Sequence, residues 1–348
     1  MQENDYDDVI SFLMPIFGGD VAIWRIWFSH WWADNPAWSD SIPRGWLVRL
    51  GAGKPVAFTA NIPFKYIING NLETCYVTGC TASDPTFRRQ GLASMVGRAF
   101  LNQSEPAILL GVESTEAAQK LWQTLGMKPL NRTWQHINFR VVADLSVIAT
   151  RAAHKLSMPQ LITRIASSGA RTFMRSLLYF SRPSTRFLIE QVTNFLQEDE
   201  KDLLLCRASS ATTYPLRDVE TLNWLYFGSA HVRKTRAVFV ARLGKKLVGY
   251  LSMKTSHHVF KLLECRTLDA DPDIARDLII TARLFALRAR SSYIEIRPYT
   301  PMIEEAMPRI GAIQKNTPDI SYYYKTNSGI KNDPSWEAGP GDGDVSVN

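Results

Sequence analysis

The chain has 348 residues, enough for about two domains, and is 45% hydrophobic and 21% charged, proportions that exclude a disordered or fibrous protein. Its formal net charge of +7 is concentrated: between Arg140 and Glu190 eight Lys and Arg stand against two carboxylates, which removes a chain-wide argument for nucleic-acid binding. Cys75, Cys80, Cys206 and Cys265 lack the C-x-x-C spacing of a zinc site or a disulfide framework, so reduced core cysteines of a cytoplasmic protein and no metal are expected.

Met1 to Asp8 is acidic and lacks the basic n-region of a signal peptide. Residues 9 to 46 are rich in large rings, and Trp24, Trp27, Phe28 and Trp31 share one helical face, which predicts a helix packed on a sheet. An alternative reading puts Trp32 and the Asn35-Pro36 turn in the lining of a substrate pocket. Trp46 to Leu50 and Pro55 to Ile62 read as a hairpin, and Phe64 to Ile68 pairs through Asn69-Gly70-Asn71 with a strand over Cys75 to Thr81.

That strand runs into Thr81-Ala82-Ser83-Asp84-Pro85-Thr86-Phe87-Arg88-Arg89-Gln90-Gly91-Leu92-Ala93, where a Pro turn and a basic glycine loop lead into a helix with Leu92, Met95, Val96, Ala99 and Phe100 on one face. Small residues at Gly91 and Ala93 let an anion approach the unpaired N–H groups of the helix start, and Arg88 and Arg89 add charge. Asp84 is expected to cap the turn. Ala107 to Glu113 reads as a second buried strand, Ser114 or Thr115 as a cap, and Ala118, Leu121, Trp122 and Leu125 as a helical stripe ending at Gly126.

Thr133 to Val142 alternates as a strand closing the first domain. Residues 143 to 200 read as helical, with Arg164, Arg171, Arg175, Arg182 and Arg186 at steps of seven and four, broken by Pro183. This segment is either a connector with solvated arginines or a platform for an anionic partner, such as an acidic lipid surface or an acyl carrier protein. The remainder repeats the beginning: Arg242 to Tyr250 matches the first hairpin, Leu268 to Pro272 matches Thr81 to Pro85, and Ile303, Ala306, Ile310 and Gly311 match Ala118, Leu121, Leu125 and Gly126. In place of the glycine loop it has Asp273 and Asp277, which would repel a pyrophosphate. Ile320 to Lys325 is expected to be its last strand, and Gly, Asp, Pro and Ser dominate from Ser328 onward, as in a disordered tail.

With its Arg88, Gly91, Ala93 loop followed by Ala118, Leu121 and Gly126, the chain resembles the GNAT family of acyl-coenzyme A dependent N-acyltransferases over residues 20 to 140. The resemblance implies an α+β fold of two tandem GNAT-like domains, each a twisted mixed sheet flanked by helices: 1–142 binding acyl-CoA, a basic helical connector at 143–211, and a degenerate second copy at 212–327, with a disordered tail at 328–348. It implies transfer of an acyl group from acetyl-CoA or another acyl-CoA to a primary amine of a small-molecule or sugar-type acceptor; the alternatives are an acyltransferase that uses an acyl carrier protein or acts at a membrane surface, and a CoA-binding or scaffold protein without catalysis. Cofactor contacts then fall on Thr81, Ala82, Arg88, Arg89, Gln90, Gly91, Leu92, Ala93, Thr115, Ala118 and Trp122.

Two positions depart from the family pattern. Thr115 replaces the usual Asn, and Trp122 replaces the Tyr that commonly protonates the leaving thiolate, a step for which an indole N–H is far too weak an acid. Glu113 and Glu73 are the candidate general bases, with His30 and His136 further options.

Overall fold

The computed structural model describes residues 1–51, 53–130, 137–180, 182–207, 211–256, 259–297, 299–316 and 321–327. Two helices, α1 (Tyr6–Phe17) and α2 (Val21–Phe28), precede the strands, and α2 continues into a π turn at Ser29–Ala33. The long strands β2 (Pro55–Ile68) and β3 (Asn71–Ser83) follow β1 (Gly45–Arg49). A two-residue turn joins β2 to β3, with Asn69 and Gly70 both at positive φ, the type I′ geometry that matches the twist of a hairpin. Next come α3 (Leu92–Leu101), β4 (Ile108–Ser114), α4 (Glu116–Thr124) and the short β5 (Lys128–Pro129).

Then come β6 (Ile137–Val142), α5 (Leu145–Lys155), α6 (Gln160–Phe180), β7 (Leu188–Val192), α7 (Glu200–Leu205), β8 (Cys206–Arg207) and β9 (Thr213–Pro215). After α8 (Val219–Phe227) and α9 (Ala230–Thr235), the strands β10 (Arg236–Leu243), β11 (Lys246–Ser256) and β12 (Val259–Leu268) lead to α10 (Pro272–Arg288) and β13 (Tyr293–Ile296). The chain closes with α11 (Pro301–Arg309), β14 (Ile313–Asn316) and β15 (Ser321–Thr326).

These elements build two mixed sheets. The first has the order β1-β2-β3-β4-β15-β5, with β9 added to β2; the second has β7-β10-β11-β12-β13-β6-β14, with β8 added to β12. Removing the extra edge strands leaves one order in both, hairpin, third strand, parallel fourth strand, then an inserted strand and a short edge strand. The two sheets thus share this order of strands.

The inserted strands do not lie where the sequence order puts them. Of the segment 133–142, expected to close the first domain, residues 133–136 lie outside the described residues, and Ile137–Val142 forms β6 in the second sheet, where it pairs with β13 and β14. The strand expected last in the second copy, β15, pairs instead with β4 and β5 of the first sheet. There Tyr323 accepts from Gln123 Nε2 at 2.8 Å through its hydroxyl, and Lys325 Nζ donates to Leu101 O at 2.7 Å. Strand pairing is made by backbone groups that any sequence carries, so the alternation of residues marks a strand but not its partner.

The chain forms two compact units that follow the sheets rather than the contiguous limits 1–142, 143–211 and 212–327. The first takes the chain through β5, the segment Ala211–Val232, and β15; the second takes β6 through β8 and Arg233 through β14. Residues 143 to 200 accordingly are not a uniformly helical connector: β7 is an edge strand on β10. Likewise β9 extends the first sheet by pairing with Tyr66–Ile68, beyond the point where β1 ends. Each unit has its own core. In the first, Tyr76, Phe100, Leu109, Trp122, Met127 and Tyr323 pack together; in the second, α10 buries Leu278, Ile279 and Ala282 with Leu251, Met253 and Ile294 of the sheet.

Candidate functional site

In the first sheet β3 and β4 run parallel and pair only from Cys75↔Ile108 to Thr78↔Gly111. Both strands continue beyond, β3 to Ser83 and β4 to Ser114, without pairing to each other. The edge of β3 from Gly79 to Ser83 therefore faces a gap about 15 Å long at the rise of a strand. A bulge marks its start: Phe58 opposes Ala82 while Ala60 opposes Gly79, so β3 carries one extra residue, and Cys80 there has φ of 49°. A bulge takes one peptide out of the ladder and re-aims the residues beside it.

Three hydroxyls meet at the bulge. Thr59 Oγ1 lies 2.7 Å from Thr78 Oγ1 and 2.7 Å from Thr81 Oγ1, and Thr78 and Thr81 are 3.0 Å apart. A ring of three hydroxyls can satisfy every member, each donating once and accepting once. Thr59 and Thr78 are buried and Thr81 is partly exposed. Sequence reasoning singled out Thr81 but missed its two partners, because Thr59 joins through strand register and not through any motif.

The chain then turns at Asp84, whose carboxylate accepts from Thr86 N at 2.8 Å and Thr86 Oγ1 at 2.6 Å, as expected of a cap. Those bonds hold its pKa below the usual carboxylate value. Arg88, Arg89, Gln90 and Gly91 are exposed. Arg89 and Gly91 have positive φ, 65° and 79°, and Gly91 is the N-cap of α3 with no side-chain cap bond. The first N–H groups of α3, from Leu92 and Ala93 onward, thus face outward beside two arginines, an arrangement that binds anions. A Cβ on Gly91 would meet nothing within 4 Å, so the glycine serves the left-handed backbone and the open approach.

On β4, Glu113 follows the last paired position by two residues; its side chain lies outside the described residues, as does His136. Thr115 is the N-cap of α4, accepting from Ala118 N at 3.4 Å, and Ala118 packs on the core beneath. Trp122 is 1% exposed. Its indole crosses two glycines: a Cβ on Gly111 would come within 3.1 Å of Trp122 Nε1, and one on Gly97 within 3.3 Å of the ring. The larger ring is accommodated by the absence of side chains on β4 and α3, and it sits in the core.

Other expected residues are elsewhere. Glu73 is exposed, at the hairpin end of β3 opposite Tyr66 and before the paired stretch begins, whereas the gap opens after Thr78. Five residues of strand separate it from Thr78, about 17 Å, so it cannot act directly at the gap. His30 is a packed histidine: its ring stacks on Trp224 at 5.1 Å, and its carbonyl accepts from Trp224 Nε1 at 2.7 Å. Trp32 and Asn35 are buried against β2, Trp32 Nε1 donating to Asn61 O and Asn35 Nδ2 to Pro63 O, each at 2.9 Å, so the packing account of the aromatic segment holds. An open cleft of about 550 Å³ lies instead between α1, the β1–β2 turn and residues 84–87, with Phe12, Ile16, Val56 and Phe87 in its walls and Asp8 and Lys54 at its rim.

The corresponding place in the second sheet is closed. There β12 and β13 pair in parallel from Val259↔Tyr293 to Lys261↔Glu295. Past that point the Tyr299 hydroxyl binds both backbone groups of Cys265, and β8 pairs with Thr267 and Leu268. The helix that follows, α10, is capped by Asp271, which accepts from Asp273 N at 2.8 Å and Ile274 N at 3.4 Å. Asp273 is held by Arg309 at 2.6 Å.

No protein-family model and no curated protein matches this chain. Solved structures do resemble it. One is a conserved protein of unknown function from Enterococcus faecalis V583, described as a probable N-acyltransferase, at 12% identity, with 96% of this chain and 72% of that one covered and a TM-score of 0.56. A GCN5-related N-acetyltransferase from Kribbella flavida shares 14% identity over 94% of this chain and 69% of that one, with a TM-score of 0.55. The N-myristoyltransferase of Saccharomyces cerevisiae with bound myristoyl-CoA shares 12% over 94% and 80%, at 0.54. At these identities the shared property is the fold, the one these N-acyltransferase structures have.

Proposed function

We propose that this chain, built on the fold of the GNAT N-acyltransferases, transfers an acyl group from an acyl-CoA, in the first instance acetyl-CoA, to a primary amine of a small-molecule or sugar-type acceptor. The observation that carries the reading is the coincidence, in one sheet, of an unpaired β3 edge after Thr78 with an uncapped helix start at Gly91. The diphosphate fits the N–H groups of Gly91, Leu92 and Ala93 with Arg88 and Arg89 beside them. The amide-bearing arm of the donor fits the open edge of β3 as an added strand would. The neighbouring cleft at Asp84–Phe87 offers room for the acceptor; Asp8 in its lining is already paired with Arg49 at 2.7 Å.

The chemistry forms one N–C bond and breaks one C–S bond; the nitrogen loses a proton and the thiolate gains one. Trp122 cannot supply that proton, being a buried indole. Thr81, partly exposed and bonded to Thr59 and Thr78, can pass a proton from solvent through the hydroxyl ring. Glu113, on β4 past the last residue paired with β3, is the remaining candidate base. The second unit has the same strand order with a filled edge and a capped helix, and on this reading it is a degenerate copy that takes no CoA.

The test is binding and turnover together. Acetyl-CoA and longer acyl-CoAs should bind the native chain, and free thiol should appear only when an amine is present. Binding with no thiol release across a broad amine panel would leave a CoA-binding protein without catalysis.

A further inference from the structure

We propose that α6 is an in-plane docking helix for an anionic lipid surface, a property of the second unit independent of the acyl-CoA reading. The helix is amphipathic in the reverse sense to that of a soluble protein. Its side facing α5 carries small and polar residues, with Thr163, Ser167 and Ala170 half-buried. The side turned to solvent carries Leu161, Ile165 and Phe173, exposed at 69%, 65% and 59%. At 100° per residue these three, with Ile162, fall within one stripe of about 120°. Water is a poor solvent for such a stripe, and soluble helices turn it inward.

Charge identifies the occupant. From Leu145 to Phe187 the chain has Arg151, Lys155, Arg164, Arg171, Arg175, Arg182 and Arg186 and no Asp or Glu. On α6, positions 164, 171 and 175 form a row flanking the apolar stripe. An apolar stripe bordered by a row of arginines is the pattern of a helix lying at the boundary of headgroups and acyl chains, where apolar side chains enter the lipid and arginines bind phosphates. Among the described residues no single helix is long and apolar enough to cross a membrane, so α6 lies on the surface and does not span it. An acidic carrier protein would match the charge, but it would not call for the apolar stripe.

The test is co-flotation of the full chain with vesicles of phosphatidylcholine alone and with phosphatidylglycerol added. Binding is expected only to the anionic vesicles and is expected to weaken sharply with salt. Replacing Leu161, Ile165 and Phe173 together by serine should weaken partitioning roughly a hundredfold, while the midpoint of thermal unfolding stays unchanged because all three are exposed. A second variant, Arg164→Gln with Arg171→Gln and Arg175→Gln, should lose the preference for anionic lipid. Absence of vesicle binding at low salt overturns the proposal. So does vesicle binding that both variants retain, or salt-sensitive binding to an acyl carrier protein alone.

Discussion

The Tyr299 hydroxyl answers both backbone groups of Cys265, accepting from its N–H at 2.6 Å and donating to its C=O at 2.8 Å. Cys265 lies on β12 past the last residue paired with β13, the place that in the first sheet falls on the open edge of β3. One tyrosine thus does for β12 what a bound amide chain would do for β3. Burial raises the Tyr299 pKa well above its ordinary value, so the hydroxyl keeps its proton and its donor role. Tyr299→Phe should cost about 1–3 kcal/mol, as expected when buried backbone groups lose their partner, and leave acyl-CoA affinity unchanged. A fall in affinity would place donor binding in the second unit.

Gly91 and Asp271 stand at matching helix starts and have opposite effects, one leaving N–H groups open and the other filling them. Gly91→Asp should therefore place a carboxylate where the diphosphate belongs, on a backbone at φ 79° that a side chain strains. Acyl-CoA binding should fall by at least an order of magnitude, the cost of removing roughly 1.4 kcal/mol or more of anion binding. Isothermal titration with acetyl-CoA is the check, with circular dichroism to confirm the fold.

Thr81→Val keeps the shape at the bulge and removes the exposed member of the hydroxyl ring. Turnover should drop on the order of 10²-fold, the lower range for an assisted proton transfer, with little change in acyl-CoA affinity. The pH profile should change as well, a shift that a purely structural residue would not produce. Equal loss of affinity and turnover would instead make Thr81 a binding residue.

Trp122 fills the notch left by Gly97 and Gly111, so Trp122→Ala should destabilise the first unit by about 3–5 kcal/mol through the cavity it leaves. Denaturant unfolding measures this directly.

Burial pushes the thiols of Cys80 and Cys206 up to about 12 from an ordinary value of 9.0. A raised folded-state value contributes stability that is full below pH 9 and is lost as pH rises towards 12, because only the unfolded chain gives up its protons in that window. Stability should fall by up to about 1.4 kcal/mol per pH unit for each thiol there. Below that window Cys206, which is buried, should not react with a disulfide reagent until the chain unfolds, whereas Cys80 is only partly buried.

Much of the candidate donor site was legible in the chain because its signals are local. The Asp84 cap, the glycine at a left-handed helix start and the order of β3, loop, α3, β4 and α4 are all set by neighbours within a few residues. The exchange of β6 and β15 between the sheets was not legible, since the same alternation suits either sheet. The Thr59–Thr78–Thr81 ring was hidden for a related reason: it depends on a one-residue bulge that no composition announces. Glu73 was misplaced by the same limit, since a strand's sequence does not show where along it the neighbouring strand departs.

The most direct test of the whole account is a thermal melt of the native chain and of the Arg88→Glu, Arg89→Glu variant, each with and without excess acetyl-CoA or a long-chain acyl-CoA. A ligand at a hundred times its dissociation constant stabilises by about 2.7 kcal/mol, which in a chain of this size raises the midpoint by a few degrees. The account predicts that rise in the native chain and its loss in a variant that still melts cooperatively. No rise with any acyl-CoA, or an equal rise in the variant, would contradict a donor site at the Arg88–Ala93 loop.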